Sequence, residues 1–294
     1  MRKVRTMWKQ TITVPAPYDF AHALERLALD PLLAVDLERQ RVTVPLHLDD
    51  VKVPVVVESI GAKDAPRFIV SGPHPERQQE IIERISHLFQ WRTPLASVHG
   101  YFQATELAPL FARYEGLPLV LDFDLYFCLV KCLIHQQLHL KVGYRLTERF
   151  VKTFGEERDG VWFYPRPEEI AARSYEDLRA LQLSGRKAEY IVNVSRLIAE
   201  GKLRLDELEQ MEDGEVMERL TAVRGIGPWT VQNFLLFGLG RPNVFPPADI
   251  GLQRAVEKWF GLPKRPTTKE MAALGERWKP YASYAALYLW RSIE

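Results

Sequence analysis

The sequence predicts an α+β N-terminal domain (a small antiparallel sheet with helices) followed by an all-α region. Three observations lead to this fold class. The chain has 294 residues, which is too long for one small core. Strand-like alternation of apolar and polar residues is confined to the first part, and helical spacing of apolar residues dominates the rest. We therefore predict two domains, residues 1–98 and residues 99–294.

The first domain contains four short segments that alternate in the manner of strands. They cover residues 11–14, 41–46, 53–57 and 67–70. Helical periodicity in residues 18–29 and 75–89 adds two helices. The expected arrangement is an antiparallel sheet with helices on one face.

The second domain contains ten predicted helices, separated by glycine, proline and asparagine. They cover residues 105–114, 125–154, 167–181, 186–200, 205–210, 214–223, 228–237, 250–260, 268–278 and 283–293. The long second segment is expected to bend at Gly143. The sequence shows no fixed-period repeat and no low-complexity linker, so the two domains should pack together.

The composition is that of a soluble globular protein, with 47% hydrophobic and 26% charged residues. The apolar run at 125–134 is interrupted by Lys131 and is too short to span a bilayer. The basic start at residues 1–10 leads into polar and β-branched residues, which predicts a chain that is not exported. Cys128 and Cys132, the two cysteines, fit a reducing cytoplasm. A net charge of +1 means that any DNA partner is held locally, by backbone amides as much as by side chains.

Residues 225–233 read Gly-Ile-Gly-Pro-Trp-Thr-Val-Gln-Asn and lie between two predicted helices. Gly225 and Gly227 can take positive φ at little cost, and Ile226 between them should point inward. Pro228 suits the first position of the second helix. Such a turn presents free amides to a phosphate. A helix corner with a glycine cap has the same residues, so this stretch alone leaves both interpretations open.

The segment that follows ends in Phe-Pro-Pro-Ala-Asp at Asp249. Leu-x-x-Val-x-Gly-Ile-Gly-Pro-Trp-Thr followed by Phe-Pro-x-x-Asp resembles the helix–hairpin–helix DNA glycosylases. Within them it is most similar to the bacterial AlkA-type DNA-3-methyladenine glycosylase II. The likeness is collinear over residues 122–290 and includes Ile-His-Gln-Gln-Leu at 134–138. It implies an all-α helix–hairpin–helix bundle for the second domain, with the hairpin at 215–238.

The resemblance implies a monofunctional glycosylase of base excision repair. Such an enzyme flips an alkylated purine, 3-methyladenine or 7-methylguanine, out of duplex DNA and hydrolyses its N-glycosidic bond. Asp249 would stabilise the positive charge that develops on the sugar. A lone aspartate before a helix is usually only a cap, but the two roles are compatible. Ala248 stands where some relatives have a second acid, and Trp229 stands where lyase relatives carry a Schiff-base lysine.

The resemblance also implies the residues that hold the base and the DNA. The base pocket would be formed by Trp229, Trp290 and Asn233. An indole face attracts a cationic base by roughly 0.5–2 kcal/mol, although core packing is the commoner fate of tryptophan. Asn233 replaces a tyrosine of some relatives, which predicts a pocket with more hydrogen bonding. The expected DNA-binding residues are Gly225, Ile226, Gly227, Thr230, Gln136 and Gln137.

Gln137 would enter the minor groove as the wedge, with Gln136 beside it. Four further basic residues either reach phosphates or form a solvated face, and the two interpretations weigh equally. They are Arg186, Lys187, Arg224 and Arg254.

We expect no cofactor and no metal. Four residues share one helical face and suggest a zinc site: Cys128, Cys132, His135 and His139. One straight helix rises about 1.5 Å per residue, so it can offer only two of them to one ion. No cysteine follows Cys132, which excludes the iron–sulfur cluster of other branches. The resemblance allows a monovalent cation on the carbonyls of Gly225–Gly227.

Two rival functions remain. One is a glycosylase for other damaged purines. Trp229, which stands in place of a lysine, counts against this function. The other is a catalytically inactive DNA-damage-binding protein, which would have no need of Asp249. The expected partner is double-stranded DNA that contains alkylated bases, with no membrane partner. The protein is expected to be a cytoplasmic monomer.

Overall fold

A computed structural model describes residues 7–293. The basic residues 1–6 of the predicted non-signal start lie outside the described residues. The antiparallel sheet is confirmed, with strand order β1-β5-β4-β3-β2. Its strands are Trp8–Thr13 (β1), Ala34–Asp36 (β2), Arg41–Leu48 (β3), Val51–Ser59 (β4) and Arg67–Gly72 (β5). Alternate residues of β4, such as Val53, Val55 and Val57, are fully buried, because a strand turns every second side chain to the core.

The helices of the first unit accompany this sheet, and the Phe20 ring at the start of the first of them packs against Phe68 of β5. They are Phe20–Leu27 (α1), Gln78–Leu88 (α2), which follows a short 3-10 turn at Pro75–Arg77, and Leu95–Phe102 (α3). Helix α1 begins later than the periodicity predicted, because Asp19 caps it by accepting from the His22 amide at 3.0 Å. Residue 98 lies inside α3, so the chain passes between the units within one helix. The division into 1–98 and 99–294 stays a prediction.

The second unit is largely helical, as predicted. Its elements are Ala108–Arg113 (α4), Leu125–His135 (α5), Leu140–Phe154 (α6), Glu156–Arg158 (β6), Val161–Phe163 (β7), Pro167–Ala171 (α7), Tyr175–Arg179 (α8), Gly185–Ala199 (α9), Leu205–Leu208 (α10), Asp213–Thr221 (α11), Pro228–Phe237 (α12), Ile250–Phe260 (α13), Thr268–Arg277 (α14) and Ala282–Arg291 (α15). The single helix predicted at 167–181 is two helices, since Ser174 caps the second of them. No helix within 7–293 is long and apolar enough to cross a membrane.

The predicted bend at Gly143 is wrong. The long segment is instead broken before α6, where α5 ends at His135 and Gln137 takes φ 55°. Gly143 lies inside α6, and a Cβ there would come within 2.8 Å of the His135 ring. The glycine therefore lets α6 approach α5 closely. The break falls at Gln136 and Gln137, which the resemblance implies are DNA-binding residues.

The predicted packing of the two units is confirmed, because one continuous hydrophobic core contains residues of both. Phe111 of α4 stacks between Phe102 of α3 and Tyr288 of α15, with both centroid distances at 3.9 Å. The Leu121 amide donates to the Leu88 carbonyl at 2.9 Å. This shared core fixes α1 against α12 and α15, which carry the site described next.

Candidate active site

Asp249 is the N-cap of α13, so the predicted capping role is confirmed. Its Oδ1 accepts from the Leu252 amide at 2.7 Å and from Trp290 Nε1 at 3.0 Å. Its Oδ2 accepts from Trp229 Nε1 at 2.8 Å. Helices α12, α13 and α15 thus each supply one donor to the same carboxylate. A helix N-terminus and three N–H donors complement a negative charge at this point.

Trp229 and Trp290 are both half-buried, and both direct their indole nitrogens at Asp249. Neither side chain is fully buried, although Trp290 also packs against the hydrophobic core. The two indoles cannot rotate without breaking a hydrogen bond to the carboxylate. The backbone at Gly251 passes close to the site. A Cβ at this residue would lie 3.1 Å from Asp249 Oδ1 and 3.5 Å from Trp290 Nε1.

One face of α12 continues the site away from Asp249. Trp229, Asn233 and Phe237 are spaced four apart and lie on this face. Asn233 is buried, and its Nδ2 donates to the Trp229 carbonyl at 2.9 Å. The Phe237 ring lies 5.9 Å from the Trp290 ring, and the guanidinium of Arg26 lies 4.3 Å from the Phe237 centroid. The spacing from Trp229 was a signal for Phe237, whereas nothing in the local sequence around Arg26, on α1, points to this contact.

The hairpin between α11 and α12 places its two glycines in different environments. Gly225 has φ 95°, as predicted, and a Cβ there would come within 2.2 Å of the Tyr190 ring. Gly227 has φ −100°, so it does not use the positive φ open to a glycine, and no atom outside its chain neighbours would lie within 4 Å of an added Cβ. Ile226 points inward and is only 4% exposed. Its amide donates to the Val223 carbonyl, so neither its side chain nor its N–H is offered to DNA.

Gln136 and Thr230 face the hairpin rather than solvent. Gln136 Nε2 donates to the Gly225 carbonyl at 2.9 Å and to Thr230 Oγ1 at 2.8 Å. Thr230 is 1% exposed. These bonds tie the end of α5 to the start of α12. Gln137 differs from them, because it is exposed and lies at the tip of the break between α5 and α6.

The four basic residues for which phosphate contact and a solvated face were both open separate into two kinds. Lys187 Nζ donates to the carbonyls of Ile134 at 2.6 Å and of Gln136 at 2.8 Å, so it satisfies the C-terminal end of α5. Arg224 pairs with Glu189 at 3.2 Å. The other two residues, Arg186 and Arg254, are exposed.

The four residues that suggested a zinc site do not converge. Cys128 and Cys132 are buried free thiols. His135 Nε2 lies 3.1 Å from Thr147 Oγ1, and burial lowers the pKa of His135 to about 3. His139 lies beyond the break, at the start of α6. The described part of the chain, 7–293, contains no group of three or more His, Cys, Asp and Glu residues that could hold a metal ion.

The fold and this site define a class of protein. The model of the HhH-GPD superfamily base excision DNA repair proteins matches residues 130–280, and the chain belongs to this superfamily. It is 52% identical over 289 residues to "Putative DNA-3-methyladenine glycosylase YfjP" of Bacillus subtilis, with 98% of this chain and 100% of that protein covered.

Two solved structures show related architectures. A 3-methyladenine DNA-glycosylase from Archaeoglobus fulgidus superposes with a TM-score of 0.84 at 24% identity, and 96% of this chain and 97% of that chain are covered. This match supports the fold. The 3-methyladenine DNA glycosylase Mag1 of Schizosaccharomyces pombe, in complex with abasic DNA, has a TM-score of 0.57 at 28% identity and covers 66% of this chain and 95% of its own.

Proposed function

We propose that the protein is a monofunctional DNA glycosylase that excises 3-methyladenine and 7-methylguanine from duplex DNA in base excision repair. The observation that carries this proposal is the Asp249 carboxylate, held by Trp229, Trp290 and the start of α13. The family of the chain and the names of its relatives support it. A single carboxylate fixed beside two aromatic rings is suited to a sugar–base bond whose cleavage leaves a cation.

The chemistry follows from the geometry of the carboxylate. As the bond between C1′ and the base nitrogen breaks, its electron pair leaves with the base, and positive charge develops on the sugar. Asp249 stabilises this charge, and a water oxygen then adds to C1′ and releases one proton to the solvent. Oδ1 already accepts two hydrogen bonds and Oδ2 accepts one. Oδ2 therefore has the greater remaining capacity and is the oxygen that we place toward the sugar.

The absence of a second acid at Ala248 fits alkylated purines better than oxidised ones. 3-Methyladenine and 7-methylguanine nucleotides carry a positive charge on the base, so the base leaves as a neutral molecule and needs no proton from the enzyme. A neutral oxidised purine would need such a proton, which requires a general acid. Trp229 supplies no amine for a Schiff base, so the DNA strand stays intact.

DNA is held, in this proposal, at the hairpin and at the tip between α5 and α6. The open approach to Gly227, at the N-terminus of α12, admits a phosphate to backbone amides. Gln137 fills the gap left by the flipped nucleotide, with the exposed Leu138 and Leu140 beside it. No cofactor enters the chemistry. A monovalent cation at Gly225–Gly227, a monomeric state and a cytoplasmic location stay predictions.

The test is release of free bases from methylated duplex DNA, followed by chromatography. Wild-type protein should release 3-methyladenine or 7-methylguanine. Asp249→Asn should lower the rate at least ~100-fold, because loss of a fixed charge that stabilises the transition state has this effect. Asparagine still caps a helix through Oδ1 but no longer accepts from Trp229, so the melting temperature should fall modestly while the protein stays folded.

Binding of methylated DNA without base release by the wild-type protein would instead support the damage-binding alternative. A folded Asp249→Asn protein that keeps substantial activity would remove Asp249 from the catalytic role.

A further inference from the structure

A second charged group lies at the far end of the α12 face. The Asp122 amide donates to the Phe237 carbonyl at 2.7 Å, and the Asp122 carboxylate pairs with Lys131 of α5 through Oδ1. Phe237 is eight residues after Trp229, which places it about 12 Å along the helix at 1.5 Å per residue. Asp122 thus lies at the C-terminal end of α12, and Asp249 lies beside Trp229 at the N-terminal end.

Lys131 is the exception on a buried helix. Its neighbours on α5 from Tyr126 to Ile134 are all buried, yet its side chain and that of Asp122 each keep 19% of their surface accessible. Helix α5 packs against α6, α9 and α12. Part of the Asp122–Lys131 pair therefore stays accessible, although the rest of α5 is packed against these helices.

The contacts that connect this pair to Asp249 are continuous. Trp290 donates to Asp249, its ring contacts Phe237, and Phe237 adjoins Asp122 through the backbone. Arg26 of the first unit covers Phe237. Trp290, Phe237 and Asp122 along this path are half-buried, as expected for the lining of a pocket.

Several charged groups lie together at this end of the pocket. Burial raises the pKa of Tyr144, and Lys131, Asp30, Arg26 and Asp122 all act on it, which places two cations and two carboxylates near one another. Burial lowers the pKa of Lys131, but Asp122, Tyr144 and Cys128 together outweigh it and leave the pKa above the usual value. Lys131 therefore stays an ammonium at neutral pH. A donor and an acceptor are presented side by side, and the other oxygen of Asp122 is buried.

We propose that Asp122 and Lys131 form the specificity-determining end of the base pocket and read the Watson–Crick edge of the flipped purine. Adenine-type bases present N6–H to Asp122 Oδ1 and N1 to Lys131 Nζ. Guanine-type bases present N1–H and O6 to the same two atoms. A purine that carries a substituent on N1 loses this match. The inference rests on the proposed function, and it deepens that function by naming the accepted class of base.

The size of the effect follows from the cost of unpaired buried groups. A site built to hydrogen-bond a substrate rejects an analogue that leaves its polar groups unpaired. One or two such bonds at a charged pair correspond to a discrimination of roughly 10- to 100-fold. An apolar pocket of the same shape would discriminate far less.

The test compares two lesions that differ only in the position of one methyl group. DNA methylated as a single strand and then annealed contains both 3-methyladenine and 1-methyladenine, and chromatography of released bases measures both rates in one sample. The variant Asp122→Leu/Lys131→Met removes the pair without leaving a lone charge. Glu200→Leu/Lys202→Met is the matched control, since it removes an exposed pair separated by 2.6 Å just after α9.

The wild-type protein and the control should favour 3-methyladenine, and the pocket variant should lower this preference at least ~10-fold. Each lesion also loses its base spontaneously at its own rate. This rate does not depend on the protein variant, so it cancels when variants are compared. Competitive inhibition by free 3-methyladenine and by free 1-methyladenine should show the same change without bond cleavage. If the double variant loses stability, Lys131→Arg keeps the ion pair, displaces the donor and should also reduce the preference.

A well-folded pocket variant that keeps the wild-type preference would overturn this assignment while leaving the proposed function intact. A wild-type protein that is inhibited equally by the two free bases would do the same. A wild-type protein that releases neither base would overturn the proposed function and this inference together.

Discussion

The indole N–H groups of Trp229 and Trp290 make these residues positioning groups as well as pocket walls. Trp290→Phe keeps an aromatic ring against Phe237 and removes one donor to Asp249. We expect the rate of base release at saturating DNA to fall about tenfold, because a hydrogen bond to a charged group is lost. Affinity for abasic-site DNA should stay near the wild-type value. Equal losses in both measurements would mean that Trp290 serves binding and not the carboxylate.

Substitution of each hairpin glycine by alanine should affect a different property, stability for Gly225 and DNA binding for Gly227. Gly225→Ala places a Cβ against the Tyr190 ring at φ 95°, so unfolding free energy should fall by about 2 kcal/mol or more. Gly227→Ala has open space and should cost less than about 1 kcal/mol. It should instead weaken DNA binding about tenfold, since the methyl group blocks a charge-assisted bond to phosphate. Thermal melts and DNA titrations of both variants separate the two effects, and similar results for both would contradict the assignment.

At the scale of helices and turns, the break between α5 and α6 separates neighbouring glutamines by role. Gln136 ties α5 to the hairpin, whereas Gln137 is exposed. Gln137→Ala should weaken binding to abasic-site DNA without changing the melting temperature. Gln136→Ala should lower both, because it leaves the Gly225 carbonyl and the Thr230 hydroxyl without this partner. Titration of abasic-site DNA with each variant, together with a thermal melt, tests both predictions. An unchanged affinity for the Gln137→Ala variant would exclude Gln137 as the wedge.

The elements that the sequence predicted well are those with a strong period or a clear cap. The alternation of β3 and β4 and the start of α13 at Asp249 are examples. Ala34–Asp36 was missed because three residues are too few to show a period, and Glu156–Arg158 because its charges do not alternate with apolar residues. The break after α5 was misplaced because Gly143 is a packing glycine, and packing against His135 leaves no trace in local sequence.

In the candidate site, too, contacts between residues that are far apart in the sequence could not be predicted. The motif predicted Trp229 and Asp249, and their hydrogen bond joins residues on successive helices. Arg26 lies in another unit, and its place over Phe237 depends on how the two units share their core. Contacts of this kind follow from tertiary packing, so the contribution of the first unit to the pocket required the structure.

At the scale of the whole molecule, the sheet meets the second unit at His47 of β3. The His47 ring lies 5.7 Å from Phe163 of β7. Lys52 pairs with Glu156 at 2.7 Å, and Arg166 pairs with Asp50 at 2.8 Å across the same junction. Ion pairs and a neutral imidazole thus join the sheet to the β6–β7 hairpin.

Acid should weaken this junction through His47. Burial lowers the pKa of His47 from 6.5 to about 4, and the nearby cations Arg166, Lys52, Arg84 and Arg158 act in the same direction. The unfolded chain therefore takes up the proton first, and stability is lost as pH falls from about 6.5 towards 4. Urea unfolding at pH 7 and at pH 5 should show this loss, and His47→Phe, which cannot titrate, should show a smaller one. The buried His135 also titrates low, so part of the slope should remain in the variant. Identical pH slopes for the two proteins would exclude His47 as a source of the acid sensitivity.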